Sequence, residues 1–94
     1  MSLSLPQGRP MRRSGVWLRQ VSGENAVYDP TMGSVHLLND SALAIWHLCD
    51  GDIDPEEMVA AICELSRMHR DVVSEDVERV LNEFEAAGLL EWKG

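Results

Sequence analysis

The stretch SVHLLNDSALAIWHLCDG, residues 34–51, changes its periodicity at Asn39, and that change constrains the chain more than any other feature. Before it lies a strand-length segment in which Val35, Leu37 and Leu38 surround His36, so both sides of a short strand carry apolar groups. After it the pattern is helical, through Ile45 and Trp46 to Cys49, with Gly51 placed to end the helix. A chain of 94 residues holds one hydrophobic core. A strand that is apolar on both sides needs a second cover, from the chain itself or from a visitor.

The other segments fit the same division. Residues 1–14 contain prolines, a glycine and arginines without periodicity and read as a flexible basic tail, leaving residues 15–94 as the folded domain. VWLRQV, residues 16–21, alternates as a strand, and Ser22-Gly23-Glu24-Asn25 supplies turn residues. Ala26-Val27-Tyr28 reads as a second strand, followed by the turn Asp29-Pro30-Thr31-Met32-Gly33 and the third strand, Ser34–Leu38. Tight connections make this a three-stranded antiparallel meander.

Three helices follow. Asn39 or Asp40 caps the first. Asp54, Pro55 and Glu57 form a capping box with proline at the first helical position, opening a second helix whose apolar face is Met58, Val59, Ile62 and Leu65. The third is expected from Ser74, with Glu75 and Asp76 in its first turn, Val77, Val80, Leu81 and Phe84 inward, and Gly88 as its stop. Leu89-Leu90-Glu91-Trp92 packs back on the body. The predicted class is α+β, winged-helix-like, with the sheet leading.

Charge narrows the partners. The net charge of −8 divides into +4 over residues 1–20 and −12 over residues 21–94. A body that acidic repels a phosphate backbone, which needs clustered Lys and Arg, and it suits a neutral or basic partner. Nucleic acid is therefore not an expected ligand. No apolar run approaches the roughly 20 residues of a membrane span, and no secretory signal is visible, so the default compartment is the cytoplasm. Cys49 and Cys63 form no CxxC and no zinc spacing and read as small hydrophobes. His36, His47 and His69 are widely separated, and no nucleophile–base motif or phosphate loop is present. No cofactor, metal or catalytic activity is expected.

The block LLNDSALAIWHLCDG, the capped second helix and DVERVLNEFEAAGLL together resemble the PqqD-like proteins. These are recognition elements of pathways that modify ribosomally made peptides. The residues that carry the likeness are Leu38-Asn39, Ser41, Ile45, Leu48, Asp50-Gly51, Asp76-Val77 and Gly88-Leu89. The resemblance spans about residues 15 to 92. It implies binding of a precursor's leader segment as an added strand beside the third strand, in a cleft walled by the third helix. YDPTMGSVHLLND with Trp46 looks closer to the stand-alone leader-binding protein of lasso-peptide pathways, which serves a leader peptidase and a cyclase. The alternative is PqqD itself, a peptide chaperone for a radical-SAM enzyme in quinone-cofactor synthesis. Thr31 and Met32 after Pro30, and Leu37 where PqqD has a basic residue, favour the lasso type.

Elementary sheet physics reaches a compatible site. The third strand of a meander is an edge with unpaired N–H and C=O groups, which an extended peptide satisfies by strand addition. The candidate peptide-binding residues are therefore Ser34, Val35, His36, Leu37 and Leu38, with Asp76, Arg79, Val80 and Glu83 of the third helix as positions able to face a groove. Parity groups Val35 with Leu37 and His36 with Leu38, and either pair is compatible with the groove. Acids there would attract a basic leader, and Arg79 could take a leader carboxylate. Two other classes compete: a winged-helix nucleic-acid regulator, opposed by the acids of the third helix, and an oligomerising accessory of a larger enzyme. The expected state is a monomer or weak homodimer.

Overall fold

The computed structural model describes residues 5–93. Its elements run β1 (Arg9–Arg12), β2 (Trp17–Val21), β3 (Glu24–Asp29), β4 (Ser34–Leu38), α1 (Asp40–Leu48), α2 (Pro55–Ser66), α3 (Arg70–Ala86) and β5 (Leu90–Lys93). β2, β3 and β4 form an antiparallel sheet in that order, and β1 pairs with β5 in a separate two-stranded ribbon. The α+β layout of a three-stranded sheet followed by three helices is the one expected.

Local chemistry explains the meander. Ser22 and Gly23 both adopt positive φ, 53° and 80°, between the paired residues Val21 and Glu24. Two left-handed residues make the mirror-image turn whose twist matches that of the flanking strands. The register then fixes the faces. Leu18, Val27 and His36 lie in one row towards the helices, with Val27 fully buried; Trp17, Tyr28 and Val35 lie in a row on the opposite face. Arg19, Ala26 and Leu37 form the next outward row, and the Arg19 guanidinium lies 5.4 Å from the Trp17 ring centroid.

The helix boundaries follow their caps. Asn39 accepts from the Ala42 amide and starts α1. Asp54 and Glu57 make the reciprocal capping box of α2, at 2.9 and 3.0 Å. At the end of α3, Gly88 (φ 72°) allows its own amide to reach Glu85 O and the Leu89 amide to reach Phe84 O, both at 3.0 Å, which is a Schellman closure. The start of α3 differs from expectation. The helix begins at Arg70 rather than Ser74, because the His69 side chain accepts from the Asp71 amide and acts as the N-cap. Histidine is not among the usual cap residues, so the extra turn carries no standard signal.

The core lies between the inner sheet face and the three helices. Val73, Val77, Val80, Leu81 and Phe84 of α3 are buried against Ile45 and Trp46 of α1, Met58 and Val59 of α2, and Val27 and Leu38 of the sheet. Trp46 meets Phe84 edge to face with ring centroids 5.3 Å apart, an arrangement the ring quadrupoles favour.

The N-terminal segment departs most from the flexible tail expected over residues 1–14. Residues 1–4 lie outside the described part, but Arg9–Arg12 form a strand on β5. Arg12 donates to Trp46 O at 2.8 Å and His47 O at 3.1 Å, carbonyls at the negative end of α1. Arg13 donates to the fully buried carboxylate of Asp29 at 2.5 Å and to Gly88 O at 2.7 Å. The segment has no alternation of its own because its partner strand is about 80 residues away, and Arg12 and Arg13 serve protein acceptors while Arg9 is exposed.

Removing residues 1–14 is therefore expected to lower the unfolding free energy by about 3–5 kcal/mol, the usual cost of stripping the partner from a buried charge. Urea denaturation of the truncated and full chains measures this. A second expectation concerns the thiols. Burial pushes the Cys49 thiol up to about 12, against a smaller opposing pull from Arg12. Iodoacetamide at pH 8 should modify the half-buried Cys63 and spare Cys49 until the protein unfolds, as read by peptide mass spectrometry. The same shift has a stability consequence. The unfolded chain releases this proton near pH 9 and the folded chain holds it to about 12, so Cys49 costs stability as pH rises across that window. Cys49→Ala should flatten that alkaline loss.

Candidate peptide-binding groove

β4 has a strand neighbour on one side, β3, and among the described residues no strand on the other. Its outer edge opens on a groove of about 400 Å³ lined by Val35, His36, Leu37, Leu38, Ala42, Glu83, Phe84, Ala87 and Leu89. One wall is the edge strand, the floor is the start of α1, and the far wall is the C-terminal half of α3 with the residue that follows Gly88. The terminal strands do not close this border, because β1 and β5 pair with each other beside the end of α1.

The wall of β4 presents two kinds of side chain. Val35 and Leu37 are 60% and 70% exposed and stand on the face away from the helices. His36 and Leu38 point the other way. Leu38 is buried in the core, whereas His36 is half buried and its ring nitrogen lies 3.2 Å from Ser34 Oγ, a contact along the strand. The two parity pairs thus divide the work: Val35 and Leu37 offer open apolar surface at the edge, and His36 with Leu38 lines the groove while closing the core. Alternate residues of β4 direct backbone N–H and C=O groups to the free edge, the arrangement that an extended chain completes.

The α3 residues selected from sequence divide differently. Glu83 lines the groove. Val80 does not: its side chain is 1% exposed and belongs to the core, so it is corrected from a groove position to a packing position. It lies on the same helical stripe as Val77 and Phe84, and a stripe that wide must all turn inward when a helix packs on two others and on a sheet. Asp76 lines a separate small apolar cavity with Ser41, Ala44, Ile45 and Val77, among other residues, near the N-terminal part of α3. Arg79 is exposed but not free, because its guanidinium bonds to Asp76 at 3.1 Å and to Glu83 at 3.5 Å. Such exposed pairs are worth little and exchange readily. Arg79 therefore tempers the negative charge at the rim instead of waiting as an open carboxylate receptor.

Sequence reasoning missed Ala42, Phe84, Ala87 and Leu89 as lining residues. Phe84 was assigned to the core, and it does pack there, yet it also forms groove wall. Ala87 and Leu89 flank the helix stop, where a small residue and a Schellman turn leave the strand side of α3 open. The available signal was the sequence Ala86-Ala87-Gly88, which combines small side chains with a helix end.

The arrangement is suited to holding an extended peptide, and His36 and Glu83 are titratable side chains among its lining residues. Among the described residues there is no group of three or more His, Cys, Asp or Glu able to hold a metal ion, and no helix long and apolar enough to cross a membrane.

Comparison with known proteins bears on the fold and the family. No curated protein sequence matches the chain. Among solved structures, TbiB1 in complex with the TbiA(beta) leader peptide is similar at 26% identity, over 86% of this chain and 94% of that one, with a TM-score of 0.73. A lasso peptide synthetase B1 complexed with the leader peptide has the same fold at 19% identity, covering 88% of this chain and 98% of that one, with a TM-score of 0.73. So has the PqqD truncation of PqqCD from Methylobacterium extorquens, described as a stand-alone recognition element, at 20% identity, 87% of each chain and a TM-score of 0.71. The family model for coenzyme PQQ synthesis protein D matches residues 24–90, from β3 through α3 to the first residue of β5, and the chain belongs to this PqqD family.

Proposed function

We propose that this protein binds the leader segment of a ribosomally made precursor peptide by strand addition to β4, beside α3, and presents the precursor to a leader peptidase and a cyclase of a lasso-peptide pathway. The observation that carries the reading is the edge of β4, unpaired among the described residues and opening on a groove of about 400 Å³. A five-residue strand offers about 17 Å of backbone for pairing. Covering Val35 and Leu37 contributes at most about 1.5–3 kcal/mol each, and a leader that orders on contact loses chain entropy. Binding near the micromolar range, about −8 kcal/mol, is the outcome of that balance together with the backbone bonds. The role is presentation rather than turnover. The groove rim, with Glu83 tempered by Arg79, accepts a neutral or weakly basic leader better than an acidic one.

The likeness to the two B1 structures, each solved with a leader peptide, supports the lasso assignment. The family model and the PqqCD-derived domain support a second reading, in which the bound peptide is the precursor of a quinone cofactor and the partner is a radical-SAM enzyme. Isothermal titration against the leader of each kind of precursor separates them, because the groove is common to both and the peptide is not.

Titration with the cognate leader should shift the amide signals of residues 34–38, Glu83, Phe84 and Ala87 first. No localised shift there would remove the proposal. Leu37→Asp should weaken leader binding about thirty-fold, the equivalent of losing one apolar side chain's burial at about 2 kcal/mol. Its thermal midpoint should stay near that of the parent, since the side chain is already largely in water. Val80→Asp should instead unfold the chain, seen by circular dichroism, because it places a charge in the core.

A further inference from the structure

We infer that Arg13 is a positioning residue for the peptide groove, a strut that sets the separation of its two walls without touching the peptide. This rests on the reading of the groove as a leader site. The two walls share few direct contacts, since the space between β4 and α3 is the groove itself. Something else must hold their spacing, and Arg13 reaches the end of the α3 wall and the strand that carries β4. Its backbone amide donates to Leu89 O at 2.9 Å and its Nε to Gly88 O at 2.7 Å, fixing the segment that leaves α3 and supplies Leu89 to the groove. Its other arm, at Nη2, donates to Asp29 Oδ2 at 2.5 Å.

Asp29 passes the constraint to β4. It is the last residue of β3 and stands opposite Ser34, the first residue of β4. Its second oxygen accepts from the Thr31 amide at 3.1 Å and more weakly from Met32 at 3.4 Å, so the same carboxylate shapes the turn into β4. The planar guanidinium fork serves two acceptors in fixed directions, and a compact ammonium on a flexible stem does not reproduce that geometry. The side chain is thus a rigid bridge from one end of the β4 wall to the end of the α3 wall. The groove is preformed to the extent that this bridge holds, and preformation lowers the ordering cost of binding.

The test combines an unliganded measurement with a binding one. Spin labels at Leu37→Cys and Ala86→Cys, in a chain with Cys49→Ala and Cys63→Ala, report the distance across the groove by double electron–electron resonance. Arg13→Lys keeps a cation at Asp29 but loses the fork. Arg13→Met with Asp29→Leu removes the buried pair together, which protects against the collapse that an unpaired Asp29 would cause. Both should broaden the distance distribution, and an unchanged distribution overturns the inference whether or not any peptide binds.

The binding probe is a labelled linear peptide selected on the wild-type protein from a displayed library and located by amide shifts against residues 34–38. In the chain without spin labels, both variants should bind it about ten-fold more weakly under conditions where they remain folded. Val59→Ala, buried in α2 away from the groove, destabilises the fold without loosening the strut and should bind as wild type does. If Val59→Ala loses affinity in step with its stability as the Arg13 variants do, the effect is only structural and the inference falls. If the distribution broadens but the library yields no peptide at residues 34–38, the strut stands and the leader reading fails.

Discussion

The inner stripe of α3 is the constraint from which the rest of the architecture follows. Val73, Val77, Val80, Leu81 and Phe84 cover more than three turns of one helix and are buried against α1, α2 and the sheet. No other element touches so much of the core. A stripe this broad cannot be satisfied by one neighbour, so α1 and α2 pack on its two flanks, and the sheet meets it only in part. The incomplete meeting of α3 and β4 is what leaves the groove. The same helix thus supplies the largest part of the hydrophobic driving force and, at Glu83, Phe84 and Ala87, one side of the open cleft.

Polar groups set the details that the apolar core leaves loose. A carboxylate as buried as Asp29 is tolerable only with its charge paired and its remaining lone pairs filled, and Arg13 with the Thr31 and Met32 amides does that. Arg12 acts similarly on the carbonyls that end α1. Arg12 and Arg13 are therefore spent on acceptors of the acidic body. That also bears on the nucleic-acid alternative. Arg70 and Arg79 of α3 are paired with Glu56, and with Asp76 and Glu83, so the helix that would enter a groove of DNA presents mainly carboxylates.

Much of the fold was legible from the sequence because its signals are local. The capping box at Asp54 and Glu57, the cap at Asn39, the turn at Ser22-Gly23 and the Schellman stop at Gly88 each depend on residues within a few positions of one another. The misses share the opposite property. β1 exists only because β5 arrives beside it, His69 caps a helix that its neighbours do not announce, and Arg79 is occupied by partners that only rotamer and packing select. Val80 was misplaced for a related reason. A helical wheel shows which residues share a face, but the width of the buried stripe depends on how many elements press on it.

The sequence by itself determined the meander and the three helices that follow it, the caps of the first two helices and the presence of one strand with apolar groups on both sides, since periods of two and 3.6 residues are properties of the local backbone. It also determined that the body is acidic. Only the tertiary structure decided that β4 keeps an edge free of other described strands, that Val35 and Leu37 face outward while Leu38 closes the core, and that Arg13 ties the sheet to the end of α3. Those outcomes depend on contacts between segments far apart in the chain, where a one-residue change of register would exchange every inward and outward side chain. Register and docking are settled by the whole core at once.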